Sequence, residues 1–445
     1  MIADSQLADY FSYLRFPSIS ADPARAHAME GCAGWLAGKF SRMGFESAIH
    51  PIDGPPIVVA RRISSPNKKT VLIYGHYDVQ PVDPLALWEN DPFEPVVQKG
   101  LVVARGATDN KGQTICHLLG AEALLAEQGE LPVNLIFLIE GEEEIGSPHL
   151  GHFLESHRDE LKCDAIMISD TSMAGPGFPA ITCGLRGIAC LEVKVRGPKM
   201  DLHSGMFGGA VANPAMELAW LLARLHHPDD SIAVPGFYDE VLPVDPHERA
   251  RWRKISFNDE AILQATGAAR LSGELDFTAV ERLWIRPTAE INGITAGYQG
   301  EGSKTIIPRE ASAKLSFRLV PKQKPEIIAV RVRDYLQSLC PDSVHLEVDY
   351  DHGGEPFYAD PRSTFSQAAQ TALEEVFGQP PALTREGLSI PIVSLLQETL
   401  GQDPLMVGLG LPNCQAHAPN ETFPLEQLEK GIQFHQEVLK RFAND

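Results

Sequence analysis

Three short apolar runs in the first half of the chain constrain its fold more than any other feature. VLIY at 71–74 leads into GHYD, LPVNLIFLI at 131–139 into EGEEE, and AIMI at 165–168 into SD. Short runs with no polar face read as strands covered on both sides, the signature of a parallel sheet. Between the first two, residues 112–127 set Ile115, Leu118, Leu119, Ala121, Leu124 and Leu125 at helical spacing. That pattern predicts a crossover helix returning the chain to the same sheet.

The pattern changes at GLRG, 184–187. Leu191, Val193 and Val195 alternate with polar residues, as do Ala311, Ala313, Leu315, Phe317 and Leu319, and then Val344, Leu346, Val348 and Tyr350. Alternation of period two marks a sheet covered on one face, so an α+β region is expected here. A helix over 213–225, with Met216, Leu218, Trp220, Leu221 and Leu222, is expected to cover it. Further on, 365–377 reads as helix, and PLMVGL at 404–409 as a strand rejoining the first sheet. The expected architecture is α/β: a mostly parallel-sheet catalytic domain with helices on both faces, interrupted by an inserted α+β domain. Its parts are 1–185, 186–355 and 356–445.

A chain of 445 residues is long enough for more than one core. Its net charge of −21 opposes association with phosphate backbones and anionic lipid, so neither nucleic acid nor membrane is an expected partner. Seven scattered cysteines without a C-x-x-C pair suit a reducing compartment, and the N-terminal segment lacks the charge and apolar pattern of a secretory signal. A cytoplasmic location is therefore expected.

The apolar runs end in side chains that bind metals. His76 and Asp78 follow the first, Glu142, Glu143 and Glu144 the second, and Asp170 the third; Asp109 precedes the crossover helix and His417 follows the run at 404–409. Ligands collect at the carboxyl ends of strands in open α/β sheets, and imidazole with carboxylate suits zinc or manganese. Taken singly, each residue has a plainer reading: a packed histidine, a helix-start carboxylate, a turn cap. Their recurrence at several strand ends is what points to a binuclear site.

YGHYDVQPVDP at 74–84, WENDPFEP at 88–95, ARGATDNKGQ at 104–113, EGEEEIGSP at 140–148 and DLHSGMFGG at 201–209 together resemble the carnosinase-like dipeptidases. These belong to the superfamily of di-metal peptidases and deacylases. The resemblance implies two divalent ions per subunit, zinc with manganese or cobalt as alternatives. His76 and Asp170 would hold one, Glu144 and His417 the other, and Asp109 would bridge them, next to a cis Asp109–Asn110 bond. Asp78 would orient His76, and Glu143 would be the general base. It also implies that the inserted α+β domain is a lid or dimerisation domain through which a homodimer forms, His203 reaching the neighbour's site to steady the oxyanion. Thr305, Arg318, His352 and Ser389 would bind a short peptide with a free C-terminus, although Leu388 stands where the family often has glycine. The rival readings are an N-acyl-amino-acid deacylase or carboxypeptidase with the same site, and a non-catalytic protein binding peptide or metal.

Overall fold

The computed structural model describes every residue except 1, 254, 256, 257, 388, 389 and 445. The chain divides into two compact units. The first comprises Met1–Cys183, Ala359–Thr384 and Ile392–Asp445; the second comprises Gly184–Tyr358 and Arg385–Pro391.

The first unit is built on one sheet. Thr70–His76 lies between Asn134–Glu140 and Ala165–Ile168, parallel to both, and Pro404–Gly408 adds a fourth parallel strand beside Ala165–Ile168. The flanks are antiparallel: Ile57–Arg62 and then Glu46–His50 on one side, Ala180–Leu185 on the other. The parallel centre follows from the apolar runs, whose residues are buried whichever way they point. Pro132 has no N–H to donate, and the second strand starts only at Asn134, two residues beyond it. Val71, Ile73, Leu135 and Phe137 join a core formed with the helices Asp4–Leu14, Ala26–Arg42, Lys111–Gln128, Thr364–Phe377 and Leu425–Asn444. Leu72, Tyr74, Ile136 and Leu138 are equally buried outside that cluster. The expected crossover helix is Lys111–Gln128, stopped by Gly129 in the left-handed conformation.

The second unit carries a four-stranded antiparallel sheet in the order Thr288–Ala296, Glu310–Leu319, Gly187–Arg196, His345–Gly354. Alternate residues Leu191, Val193, Val195, Ala313, Leu315 and Phe317 pack with the helices Pro214–Ala223 and Pro325–Leu339. Two expected details differ. Leu218, Leu221 and Leu222 face this core, but Met216 and Trp220, four residues apart, share the opposite side and are exposed. In the last strand Tyr350 keeps the register of Leu346 and Val348, opposite Leu191, yet is exposed, and a bulge follows it before His352. No helix among the described residues is long and apolar enough to cross a membrane.

Candidate metal centre

The parallel register delivers the candidate ligands to one end of the sheet. His76 is the last residue of its strand and sits opposite Glu140, after which the chain turns into Glu142, Glu143 and Glu144. Asp170 follows the end of the neighbouring strand, and Asp109 lies just ahead of the crossover helix. His417 comes from a loop closed at its base by the Thr422 N–H donating to the Cys414 carbonyl. Gln415, His417 and Asn420 in that loop hold positive φ, a conformation uncommon for residues with a Cβ.

The side chains converge. His76 Nε2 lies 3.3 Å from Asp109 Oδ1, 3.7 Å from Asp170 Oδ1 and 4.0 Å from Glu143 Oε2. His417 Nε2 donates to Asp109 Oδ2 at 2.8 Å and lies 3.4 Å from Glu144 Oε2. Asp109 thus presents one oxygen to each histidine. Two triads have ligand atoms within 4.8 Å of one another: His76, Asp109 and Glu144, and His76, Glu143 and Asp170. His417 belongs to neither triad and touches the group through Asp109 and Glu144. The Asp109–Asn110 peptide bond is cis.

Asp78 serves both halves of this arrangement. His76 Nδ1 donates to its backbone carbonyl at 3.1 Å and lies 3.3 Å from its carboxylate, which leaves Nε2 aimed at the acidic cluster. The same carboxylate accepts the N–H groups of Glu143 and Glu144, fixing the turn that carries them.

The residues fit a divalent cation on physical grounds. His76 Nε2 and Glu144 Oε1 are buried and have no hydrogen-bond partner. Five carboxyl groups, on Asp78, Asp109, Glu143, Glu144 and Asp170, surround two histidines, a charge imbalance that burial makes expensive. Without a cation, protons carry the load. Desolvation pushes Glu143 up to about 8 and Glu144 up to about 7. The hydrogen bond to Asp109 lifts His417 to about 9. Burial alone would pull His76 down, but Asp109, Asp170 and Asp78 together raise it well above the usual histidine value. A cation entering this cluster displaces those protons, since the ligating forms are deprotonated.

Several supporting residues were not visible in the sequence as such. Gln80 donates to Glu144 Oε2 at 2.7 Å. Asn110 donates to Asp170 Oδ1 at 2.8 Å. Glu421, fully buried, accepts from Arg105 Nη1 and the Gly106 N–H with one oxygen and from the Thr108 and Asp109 N–H groups with the other. Gln80, Arg105 and Asn110 stand inside motifs quoted above, but Glu421 carries no local signal separating it from an ordinary polar residue.

The remaining expected residues lie in the second unit. His203 ends a two-residue strand paired with Ile306–Ile307; its Nδ1 accepts from the Gly205 N–H, and the carbonyl of Thr305 accepts from the N–H of Ser204. Arg318 and His352 occupy strands on either side of Gly187–Arg196, opposite Ile188 and Cys190, whose side chains point away from the buried face. His352 Nδ1 lies 3.1 Å from an Asp351 carboxylate oxygen. Ser389, like Leu388, lies outside the described residues.

Clustered carboxylates and imidazoles at the ends of parallel strands, with orphaned ligand atoms and a carboxylate beside them, define a metal-dependent hydrolase site. The comparisons give the family: residues 72–441 match the model of Peptidase family M20/M25/M40, and the chain belongs to it. It is 33% identical over 433 residues to the Cys-Gly metallodipeptidase dug1 of Schizosaccharomyces pombe, covering 94% of this chain and 91% of that protein. It is 34% identical over 372 residues to the human Beta-Ala-His dipeptidase, covering 82% and 73% respectively. Among solved structures, the M20 family metallo-carboxypeptidase Sso-CP2 from Sulfolobus solfataricus aligns over the whole of both chains with 32% identity and a TM-score of 0.82.

Proposed function

We propose that this chain hydrolyses the peptide bond of dipeptides and short peptides with a free C-terminus, using two divalent cations, zinc in the first instance. The observation that carries the reading is the convergence of His76, Asp109, Glu143, Glu144, Asp170 and His417 on one point, with His76 Nε2 and Glu144 Oε1 left without a hydrogen-bond partner. His76 and Asp170 would hold one cation and Glu144 and His417 the other, with Asp109, which has one carboxylate oxygen beside each histidine, contributing to both. Bound cations supply Lewis acidity, which lowers the pKa of water and polarises a carbonyl.

The chain's own groups do the rest. Asp78 holds the His76 tautomer through Nδ1 and anchors the backbone of Glu143. Glu143 accepts a proton from the attacking water on its carboxylate and delivers it to the departing amine, without which the amine is a poor leaving group. Arg318, with its planar fork, is suited to the substrate's free carboxylate, and Thr305, His352 and Ser389 are assigned to substrate by resemblance. His203 is assigned to the oxyanion, supplied by the second subunit of a homodimer. Exposed Met200, Met206 and Phe207, in the same stretch of chain as His203, support that pairing. The scattered free cysteines suit a cytoplasmic location.

The likeness to a metallo-carboxypeptidase favours carboxypeptidase as the second reading, since pocket shape rather than fold separates the two. Kinetics on an unblocked dipeptide, an N-acetyl amino acid and an N-blocked dipeptide decide between them. We expect kcat/KM for the unblocked dipeptide to exceed both others, and activity to vanish on chelation and return with added zinc or manganese. Efficient cleavage confined to the blocked substrates would transfer the chain to the rival class.

A further inference from the structure

We propose that His117, backed by His435, is a positioning residue for the candidate ligand Asp170, acting through Ser169 and Asn110; the inference rests on the metal-centre reading above. His117 on the helix Lys111–Gln128 and His435 on the helix Leu425–Asn444 are both buried. Their Nδ1 atoms lie 3.0 Å apart, and His117 Nε2 lies 2.8 Å from Ser169 Oγ. Ser169 immediately precedes Asp170. Its backbone carbonyl accepts from Asn110 Nδ2 at 2.6 Å, and that same nitrogen donates to Asp170 Oδ1. Thr114 holds the other end of the amide by donating to Asn110 Oδ1. A continuous set of hydrogen bonds therefore runs from the last helix of the chain to an oxygen of Asp170 and to the residue following Asp109.

The local sequence is shaped around this contact. Gly120 lies one turn beyond Cys116 on the same helix, and a Cβ there would come within 2.7 Å of His435 Cβ and 2.8 Å of its ring. Glycine is a poorer helix residue than alanine, and here it makes room for the His435 ring. Gly431 does the same from the facing helix, where a Cβ would meet Cys116 Sγ at 2.6 Å.

Both rings are neutral, because burial pushes His117 down to about 3 and His435 well below the usual value. One proton lies between the two Nδ1 atoms, so His117 spends one ring nitrogen on His435 and the other on Ser169 Oγ, which anchors the residue next to Asp170. His435 Nε2 is buried without a partner.

An isosteric pair of variants tests this. Glutamine at 117 places an amide near the position of Nε2 and can keep the bond to Ser169; asparagine places its amide near Nδ1 and can keep only the bond to His435. For folded protein, with Tm recorded, zinc and manganese affinities are measured by chelator competition and kcat and KM on a dipeptide. His117→Asn should weaken the more loosely held cation by about 10–100-fold and lower kcat with little change in KM, whereas His117→Gln should stay near wild type. Equal cation affinities in the two variants, differing only in Tm, would make the histidines packing groups and overturn the inference alone. A wild-type chain that binds no cation would overturn the metal-centre reading and this inference with it.

Discussion

Replacing Glu143 with glutamine should leave the cation content of the protein unchanged and lower kcat by about 10²–10⁴-fold, or about 3–5 kcal/mol on the barrier. Glu143 lies 4.0 Å from His76 Nε2, at the edge of the cluster, and a fifth of its side chain is open to solvent. That is where a group must be if it exchanges protons with water and substrate. Its environment suits proton uptake as well, since desolvation and the nearby carboxylate of Asp170 hold its affinity for protons high, with His76 acting in the opposite sense. Glutamine preserves the shape and the backbone bond to Asp78 but cannot take up the proton. Metal analysis and steady-state kinetics on one preparation separate the roles. A variant that loses its cations would make Glu143 a ligand, as its membership of a triad with His76 and Asp170 allows. A variant with undiminished kcat would remove it from the proton path.

The second large effect is expected far from any reacting atom. Glu421→Ala should destabilise the first unit by about 3–5 kcal/mol, because it leaves the Arg105 guanidinium buried without its carboxylate. It also strands the N–H groups of Gly106, Thr108 and Asp109. Glu421 stands four residues beyond His417 in the chain, yet its bonds are to the segment carrying Asp109. It therefore ties together the loops that supply both ends of the Asp109–His417 contact. Glu421→Gln keeps an oxygen for the backbone donors and should lose less stability than the alanine variant. Denaturant unfolding of the two variants checks the order, and equal, small losses would show that the network carries little of the local stability.

The parallel centre of the sheet was legible because strands covered on both faces permit no polar residue along their length, and 71–74, 134–139 and 165–168 have almost none. The antiparallel insertion was legible for the opposite reason, in that a sheet with one wet face forces alternation. Neither rule says what holds the site together. Glu421 lies in HAPNETFP, where nothing distinguishes it from the many surface carboxylates of an acidic chain; it is buried by contacts with residues more than 300 positions away. Gln80 and Asn110 likewise gain their meaning only from the carboxylates they meet. Met216 and Trp220 show the converse failure, where apolar character promised burial and helix geometry turned them to the outside. The pairing of ligands came from resemblance, because spacing along the chain does not reveal which two carboxylates share a cation.

His76, Asp109, Glu144, Asp170 and His417 are expected to form one nest for a pair of cations, and elemental analysis of the purified protein after equilibration with zinc, run beside Asp109→Ala, tests this. Close to two tightly held ions per chain are expected in the wild type and a loss of both, or of all but one weakly held ion, in the variant. A wild-type chain that retains none, or a variant that retains two, would contradict it.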